Sequence, residues 1–302
     1  MEKVPPPLGP GRMVGPGVDA GEHAATRATT RIRVRSIGRG TNLGADRFPE
    51  ATLGGGGIIW RMRRLSDTSE YLDGALSDRA VLQGNLRDLR RVNAWFGGSD
   101  LSLRAVRGLV QASAPAGLAG HDLLRVLDVG TGAADIPARI LRARGPWRAA
   151  HVTAIDSRPE IIDAARTLDP SLSGNSDLTL AVADGRSLPY PEGAFDVAHA
   201  SMVLHHLEPA DAIAFLRELR RVATLGVVVN DLQRSRLGWL GAWLLLHALT
   251  RNRFTLHDGP LSVRRAYTRS EARDLLAAAG LRPVREIVGF ADHRWAIAAV
   301  PW

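Results

Sequence analysis

The sequence predicts a doubly wound α/β fold with a mostly parallel, seven-stranded sheet, preceded by a helical cap. Three observations predict it. Beyond Leu123, strand-like apolar runs alternate with helix-like amphipathic runs, the order of a parallel sheet with crossover helices. A turn of small residues, Gly130-Thr131-Gly132, follows the first strand-like run and precedes a helix start. Three acids, Asp128, Asp156 and Asp184, fall at or just beyond the ends of the first three strand-like runs.

The elements follow in order. Leu82 to Phe96 carries Leu86, Leu89, Val92 and Phe96 on one helical face, and Leu101 to Ala112 continues as a second helix. Strands are expected at Leu124–Val129, His151–Ile155, Leu178–Val182, Phe195–Ala200, Leu225–Asn230, Pro283–Val288 and Trp295–Val300. Helices are expected between them at Asp135–Arg144, Pro159–Arg166, Ala210–Arg221 and Ser270–Ala279. The last has a capping box, Thr268-x-x-Glu271, and a stop at Gly280. One insertion, residues 232–269, breaks the rhythm. Domain boundaries follow: residues 1–61 as a disordered tail, 62–119 as a helical cap, and 120–302 as the α/β domain.

The 302 residues suffice for one large domain or two small ones. Residues 1–61 hold 12 glycines and six prolines, a density in which no helical or strand period survives. The run Gly54 to Gly57 reads as a flexible joint. Patterned sequence begins near Met62, with MRRLSDTSEYLDG. Two readings of 1–61 follow: a genuine tail, or upstream sequence not translated natively.

There is no cysteine, which removes disulfides, thiolate metal sites and a Cys nucleophile, and suits a reducing, cytoplasmic setting. The net charge of +8 does not point to nucleic acid. Of the 39 basic residues only Lys3 is lysine, and no basic cluster carries interleaved aromatics. The longest apolar stretch, LGWLGAWLLLHAL (Leu237 to Leu249), is 13 residues, short of the roughly 20 that span a bilayer. No His/Asp/Glu cluster shows ligand spacing on one element, so no metal is expected.

An open α/β sheet binds ligands at the carboxyl ends of its strands. Gly130 and Gly132 stand there, and the helix that follows offers free N–H groups. A nicotinamide cofactor asks for G-x-G-x-x-G/A. The sixth position here is Asp135, whose carboxylate would face a pyrophosphate. Asp128, two residues before Gly130, suits a ligand with positive charge and no phosphate.

The stretch VLDVGTGAADIP (Val126 to Pro137) resembles motif I of class I S-adenosylmethionine-dependent methyltransferases, which have a Rossmann-like fold. The resemblance continues in register to about Val300. Asp156 and Ser157, in TAIDSRPEII, fall where that family places an acid on the ribose hydroxyls. Asp184 and Gly185, in AVADGRSLPYPEGAFD, fall where it contacts the adenine. AFDVAHASMVLHHL resembles the fourth-strand motif, whose loop from Ser201 to Leu204 would lie along the cofactor. The resemblance thus implies S-adenosylmethionine held by Asp128, Gly130, Thr131, Gly132, Asp156, Ser157, Asp184, Gly185 and Ser201. Ala134 stands where many members have a third glycine, a departure expected to change loop packing only slightly.

Methyl transfer from a sulfonium needs alignment above all, which supplies on the order of 7–11 kcal/mol. A phenol with pKa near 10 also needs a proton acceptor. Three histidines are candidates: His205 and His206 after the fourth strand, and His257 in the insertion beside Asp258. The His pair is equally readable as shaping the pocket, and His257 as a loop cap. Asp231 and Arg234 would anchor an acceptor or pair with each other. The apolar stretch Leu237–Leu249, with Trp239 and Trp243, has three readings: a lid over an aromatic or lipid-tailed acceptor, a buried or dimer-forming helix, or a contact with a membrane surface. NDLQRS and HDGPLSVRRAY also resemble methyltransferases of bacterial polyketide pathways, which favours O-methylation of a phenolic small molecule in secondary metabolism. C-methylation of a quinone-like ring is the second reading. A catalytically silent cofactor-binding protein and an NAD-dependent oxidoreductase remain from other classes. Oligomeric state is not readable.

Overall fold

The computed structural model describes residues 51–54, 57–60, 62–66, 68–74, 78–113, 121–143 and 145–302. Two compact units divide the chain, Met1–Arg61 and Met62–Trp302. In the first, Ala51–Gly54 pairs antiparallel with Gly57–Trp60, in the register Ala51 to Trp60 through Gly54 to Gly57. The sequence led us to expect no strand in this part, and the pairing corrects that. Glycine-rich composition removes side-chain signal without removing the backbone's ability to form a ladder. The expectation for residues 1–50 lies outside the described residues.

The second unit holds the sheet. Its strands are β1 (His121–Val129), β2 (Trp147–Asp156), β3 (Leu178–Val182), β4 (Phe195–Ser201), β5 (Ala223–Leu232), β6 (Leu281–Val288) and β7 (Arg294–Pro301). They lie in the order β3-β2-β1-β4-β5-β7-β6. The first five are parallel where they pair; β7 runs antiparallel to both β5 and β6. The short link between β6 and β7, residues 289–293, permits only a hairpin, because a parallel return needs a crossover of a dozen residues or more.

Eight helices accompany them among the described residues: α1 (Arg79–Trp95), α2 (Gly98–Ser113), α3 (Asp135–Arg142), α4 (Pro159–Leu168), α5 (Pro209–Val222), α6 (Arg236–Leu249), α7 (Arg253–Arg265) and α8 (Arg269–Ala278). Strand alternation sends Leu127 and Val129 of β1 to one face, with Phe215 and Leu219 of α5 and Leu275 of α8. It sends Leu124 and Val126 to the other, with Val106 and Leu109 of α2 and Ile140 of α3. The capping box at Thr268 and Glu271 is formed, and Gly280 takes a left-handed φ of 78°.

Within the segment expected as a cap, the two described helices take different places. Helix α2 covers a sheet face, because its run Leu101 to Val110 is buried over most of its circumference. Helix α1 lies instead at the carboxyl end of the strands, where Leu82 and Leu86 pack with Ala133, Ile161, Ala164 and Phe254. The insertion is two helices rather than one helix and a loop. His257 lies within α7, which Asn252 caps by accepting the backbone N–H groups of Phe254 and Thr255. No helix among the described residues is long and apolar enough to cross a membrane.

Candidate active site

The sheet's order reverses between β1 and β4, the place where open α/β sheets hold ligands. A cavity of about 920 Å³ opens there. It is bounded by the carboxyl ends of β1 to β5, the inner faces of α1, α6 and α7, and the 3-10 turn Tyr71–Asp73.

The glycine turn forms its floor. Gly130 (φ 71°), Gly132 (φ 53°) and Ala134 (φ 54°) all take left-handed conformations. The backbone N–H groups of Gly130 and Thr131 both donate to the Ile155 carbonyl at 2.9 Å, which ties β1's end to β2. A Cβ at Gly130 would fall 2.4 Å from Val203 Cγ2, so no side chain fits between the turn and the fourth-strand loop. Ala134 departs from the expectation of a slight packing change. It adopts a conformation that costs an L-residue roughly 1–2 kcal/mol and glycine little.

Every residue expected to hold the cofactor lines this cavity: Asp128, Gly130, Thr131, Gly132, Asp156, Ser157, Asp184, Gly185 and Ser201. Their chemistry differs. Asp156 is buried and accepts the backbone N–H groups of Gly132 (3.3 Å) and Arg158 (3.2 Å), while burial raises its carboxyl above the ordinary range. Asp184 is exposed at the rim. Its hydrogen bonds from Arg186, side chain and backbone, pull its carboxyl below the ordinary range. The Asp128 carboxylate is committed elsewhere. It lies 2.5 Å from His199 Nδ1, and His199 Nε2 lies 2.8 Å from Ser102 Oγ, which accepts from Asn230 Nδ2 at 2.7 Å. Asp128, His199 and Asn230 share one face of three neighbouring strands, so the network props the turn from beneath. His199 and Asn230 gave no signal in sequence, because each reads as an ordinary strand residue.

Two hydroxyls fit a polar ligand. Thr131 Oγ1 and Ser201 Oγ are buried on the cavity without a hydrogen-bond partner. A buried hydroxyl left alone costs about 1–3 kcal/mol, which a ligand's polar atom removes. At the start of α3, Asp135 accepts Ser99 Oγ at 2.7 Å, and burial raises its carboxyl. A carboxylate there leaves a pyrophosphate no favourable seat.

Of the three histidines, His205 and His206 line the cavity and His257 does not. His257 stacks on Tyr71 (centroids 3.8 Å apart) and pairs with Asp258 at 2.7 Å. Asp258 also accepts the backbone N–H groups of Tyr71 and Leu72 at 2.8 and 3.0 Å, so it pins the 3-10 turn to α7. His205 is buried. Its Nδ1 donates to Asp231 Oδ1 at 2.7 Å, and its Nε2 has no hydrogen-bond partner. Asp231 and Arg234 do not pair: Arg234 donates to Glu271 at 2.6 and 2.9 Å. Burial alone would lift Asp231, yet the His205 ring and two backbone N–H groups bring it below the ordinary range.

Glu70, absent from the sequence expectations, faces the same place. Its carboxylate accepts Ser262 Oγ at 2.8 Å and lies 3.6 Å from His205 Nε2 and 3.8 Å from His206 Nε2. Burial pushes its carboxyl up to about 7, against the opposing pull of His206 and Ser262. Sequence held no signal for it, since 135 positions separate it from His205. Glu70, His205 and His206 bring donor atoms within 4.8 Å of one another, a gathering that single-element spacing could not reveal. The two rings lie 4.2 Å apart and 34° from parallel. Donor atoms gathered in this way can hold a metal ion or pass a proton.

Helix α6 forms the opposite wall with Leu237, Gly241, Ala242, Leu245 and Leu246. Only Leu246 of α6 is buried, so among the described residues α6 is not a buried packing helix. Trp239 and Trp243 do not line the cavity; Trp243 packs on His247.

Residues 126–226 match the family described as methyltransferase domain. A ubiquinone/menaquinone biosynthesis C-methyltransferase, UbiE, from Geobacter sp. (strain M21) is 33% identical over 111 residues, 37% of this chain and 46% of that protein. Ajmaline N-methyltransferase from Rauvolfia serpentina is 33% identical over 75 residues, 25% of each chain. The chain thus spans less than half the length of these curated relatives. A crystal structure of a SAM dependent methyltransferase from Aquifex aeolicus aligns with 21% identity and a TM-score of 0.45, over 63% of this chain and 95% of that one.

Proposed function

Residues 126–226 match a methyltransferase domain, and from that premise we propose that the chain is a class I S-adenosylmethionine-dependent enzyme that methylates a hydroxyl of a small aromatic or polyketide-derived acceptor. The observation that carries this reading is the His205–Asp231 pair. His205 lines the same cavity as the glycine turn and Asp156, and its Nε2 has no hydrogen-bond partner among the described residues.

Gly130, Thr131, Gly132 and Ser201 hold the methionine portion, with the Thr131 and Ser201 hydroxyls finding partners there. Asp156 and Ser157 take the ribose, and Asp184 and Gly185 border the adenine. Asp128 acts through His199 and the turn. When bound, S-adenosylmethionine would supply an electrophilic methyl group, the carbon–sulfur bonding pair staying on the thioether sulfur and the acceptor oxygen providing the pair of the new bond. Asp231 fixes the His205 tautomer with Nδ1 protonated, leaving Nε2 to accept the hydroxyl proton. Glu70 stands beside that nitrogen and stabilises the imidazolium. The α6 wall excludes water and receives the apolar body of the acceptor. Action in the cytoplasm, within secondary metabolism, belongs to the same reading.

Calorimetry with S-adenosylhomocysteine and, separately, NADH tests the cofactor assignment, and labelled methyl transfer to phenolic lipids tests the acceptor. Binding of NADH, or of neither ligand, overturns the reading. A second reading, C-methylation of a quinone-like ring, is favoured by the UbiE relative. Product analysis separates the two, since an O-methyl product is labile to ether cleavage and a C-methyl product is not.

A further inference from the structure

Among the described residues, the second unit buries three arginines: Arg234, Arg265 and Arg294. Two have carboxylate partners, Arg234 with Glu271 at 2.6 Å and Arg265 with Asp73 at 3.0 Å. Arg294 is 2% exposed and, among the described residues, has no carboxylate within 4.0 Å. Its Nη1 donates to a neutral acceptor, Asn93 Oδ1, at 2.7 Å, and its Nε has no partner. Burying a charge without an opposite charge costs several kcal/mol, so buried charges are ordinarily paired.

Its place in the fold is specific. Arg294 opens β7 and sits opposite Leu232 at the end of β5. It lines the cavity together with Asn93, Phe96 and His293. The guanidinium fits against Gly98, where a Cβ would fall 1.8 Å from Nη1, so α2 begins with glycine at the point of contact. Asn93 also reaches Asp135, the first residue of α3 after the glycine turn, at 3.4 Å. Arg294 is therefore one side chain away from the turn. Burial draws its pKa below the ordinary value, and Asp231 and Asp135 counter this only through space.

We propose that Arg294 is a carboxylate receptor at the turn end of the cavity, completed by a carboxylate of a bound ligand. The planar guanidinium presents donors in the fork that matches a carboxylate, and a dry wall around it strengthens the pairing. Two ligands bring this chemistry: the amino-acid end of S-adenosylmethionine, or an acceptor that is an aromatic acid. The first rests on the cofactor reading above; the second does not.

Calorimetry on Arg294→Met with three probes tests the proposal and separates the sources. S-adenosylhomocysteine carries the amino-acid carboxylate, 5′-methylthioadenosine lacks it, and benzoate is an aromatic carboxylate. A loss of about tenfold or more for S-adenosylhomocysteine, with methylthioadenosine unchanged, assigns the cofactor's carboxylate. The same loss for benzoate alone assigns the acceptor's. Asn93→Asp, which keeps Arg294 but gives it an internal carboxylate, is expected to weaken the same probe, and it stands in should Arg294→Met not fold. Affinities for all three probes that match the wild type in both variants overturn the proposal. Failure of the wild type to bind S-adenosylhomocysteine strikes the cofactor reading, and the benzoate measurements still decide Arg294.

Discussion

Asp231 at the end of β5 holds His205 by two bonds: its Oδ1 lies 2.7 Å from the ring Nδ1, and its Oδ2 accepts the His205 backbone N–H at 3.1 Å. Both side chains are about 1% exposed. One carboxylate therefore fixes the ring's position and its tautomer together. Asp231→Asn keeps the shape and loses the preference for a protonated Nδ1. Turnover is expected to fall by about 10² or more, with S-adenosylhomocysteine affinity unchanged. Single-turnover rates beside calorimetry check the split, and parallel losses in both would remove the orienting role.

His205→Ala is expected to lower turnover by about 10²–10⁴ with the cofactor site intact. His257→Ala is expected to leave turnover within about twofold, because His257 stacks on Tyr71 outside the cavity. A large loss from His257→Ala alone would return the base to the insertion.

Asp156→Ala should weaken S-adenosylhomocysteine binding at least about tenfold, since hydrogen bonds to a charged group are worth about 1.5–3 kcal/mol. Unchanged binding by calorimetry would make Asp156 a structural acceptor for the Gly132 and Arg158 N–H groups only.

Ala134→Gly should raise stability by about 1 kcal/mol, because glycine takes φ near 54° without the Cβ clash. The gain is partly offset by glycine's freedom in the unfolded chain. Thermal melting reads it, and a lower midpoint would mean that the Ala134 methyl contributes more through its packing with α2 and α3 than its backbone costs.

Glu70 makes stability depend on pH in a stated direction. Its folded pKa of about 7 lies above the ordinary 4.5, so the folded state binds the proton more tightly than the unfolded state. Its contribution is fully present below about 4.5 and is lost as pH rises through about 7, by up to about 3 kcal/mol. Glu70→Gln should flatten this fall. Denaturant midpoints of both forms at pH 4.5 and 7.5 provide the comparison, and parallel changes would show that Glu70 titrates normally.

Local patterns carried the sequence reading as far as local physics reaches. All seven sheet strands were legible because each contains a local apolar or alternating run. Thr268 and Glu271 announced α8 because a capping box is a contact across three residues. The glycine turn was legible because left-handed backbone selects its residues. Helix α7 was not: HDGP reads as a turn, yet packing against α1 and α6 holds Asp258, Gly259 and Pro260 in a helix.

The sequence by itself determined the α/β class, the order of the strands along the chain, the glycine turn, and the acids that border the cavity. Each rests on neighbours within about four residues or on the period of one element. Tertiary structure decided the rest. It joined His205 to Asp231 across 26 positions and set Glu70 opposite them. It turned Asp128 toward His199, sent His257 out of the cavity, and left Arg294 buried with no carboxylate beside it among the described residues. Partners of that kind meet only when sheet order and helix packing close long loops, and no pattern within one element records which ends will meet.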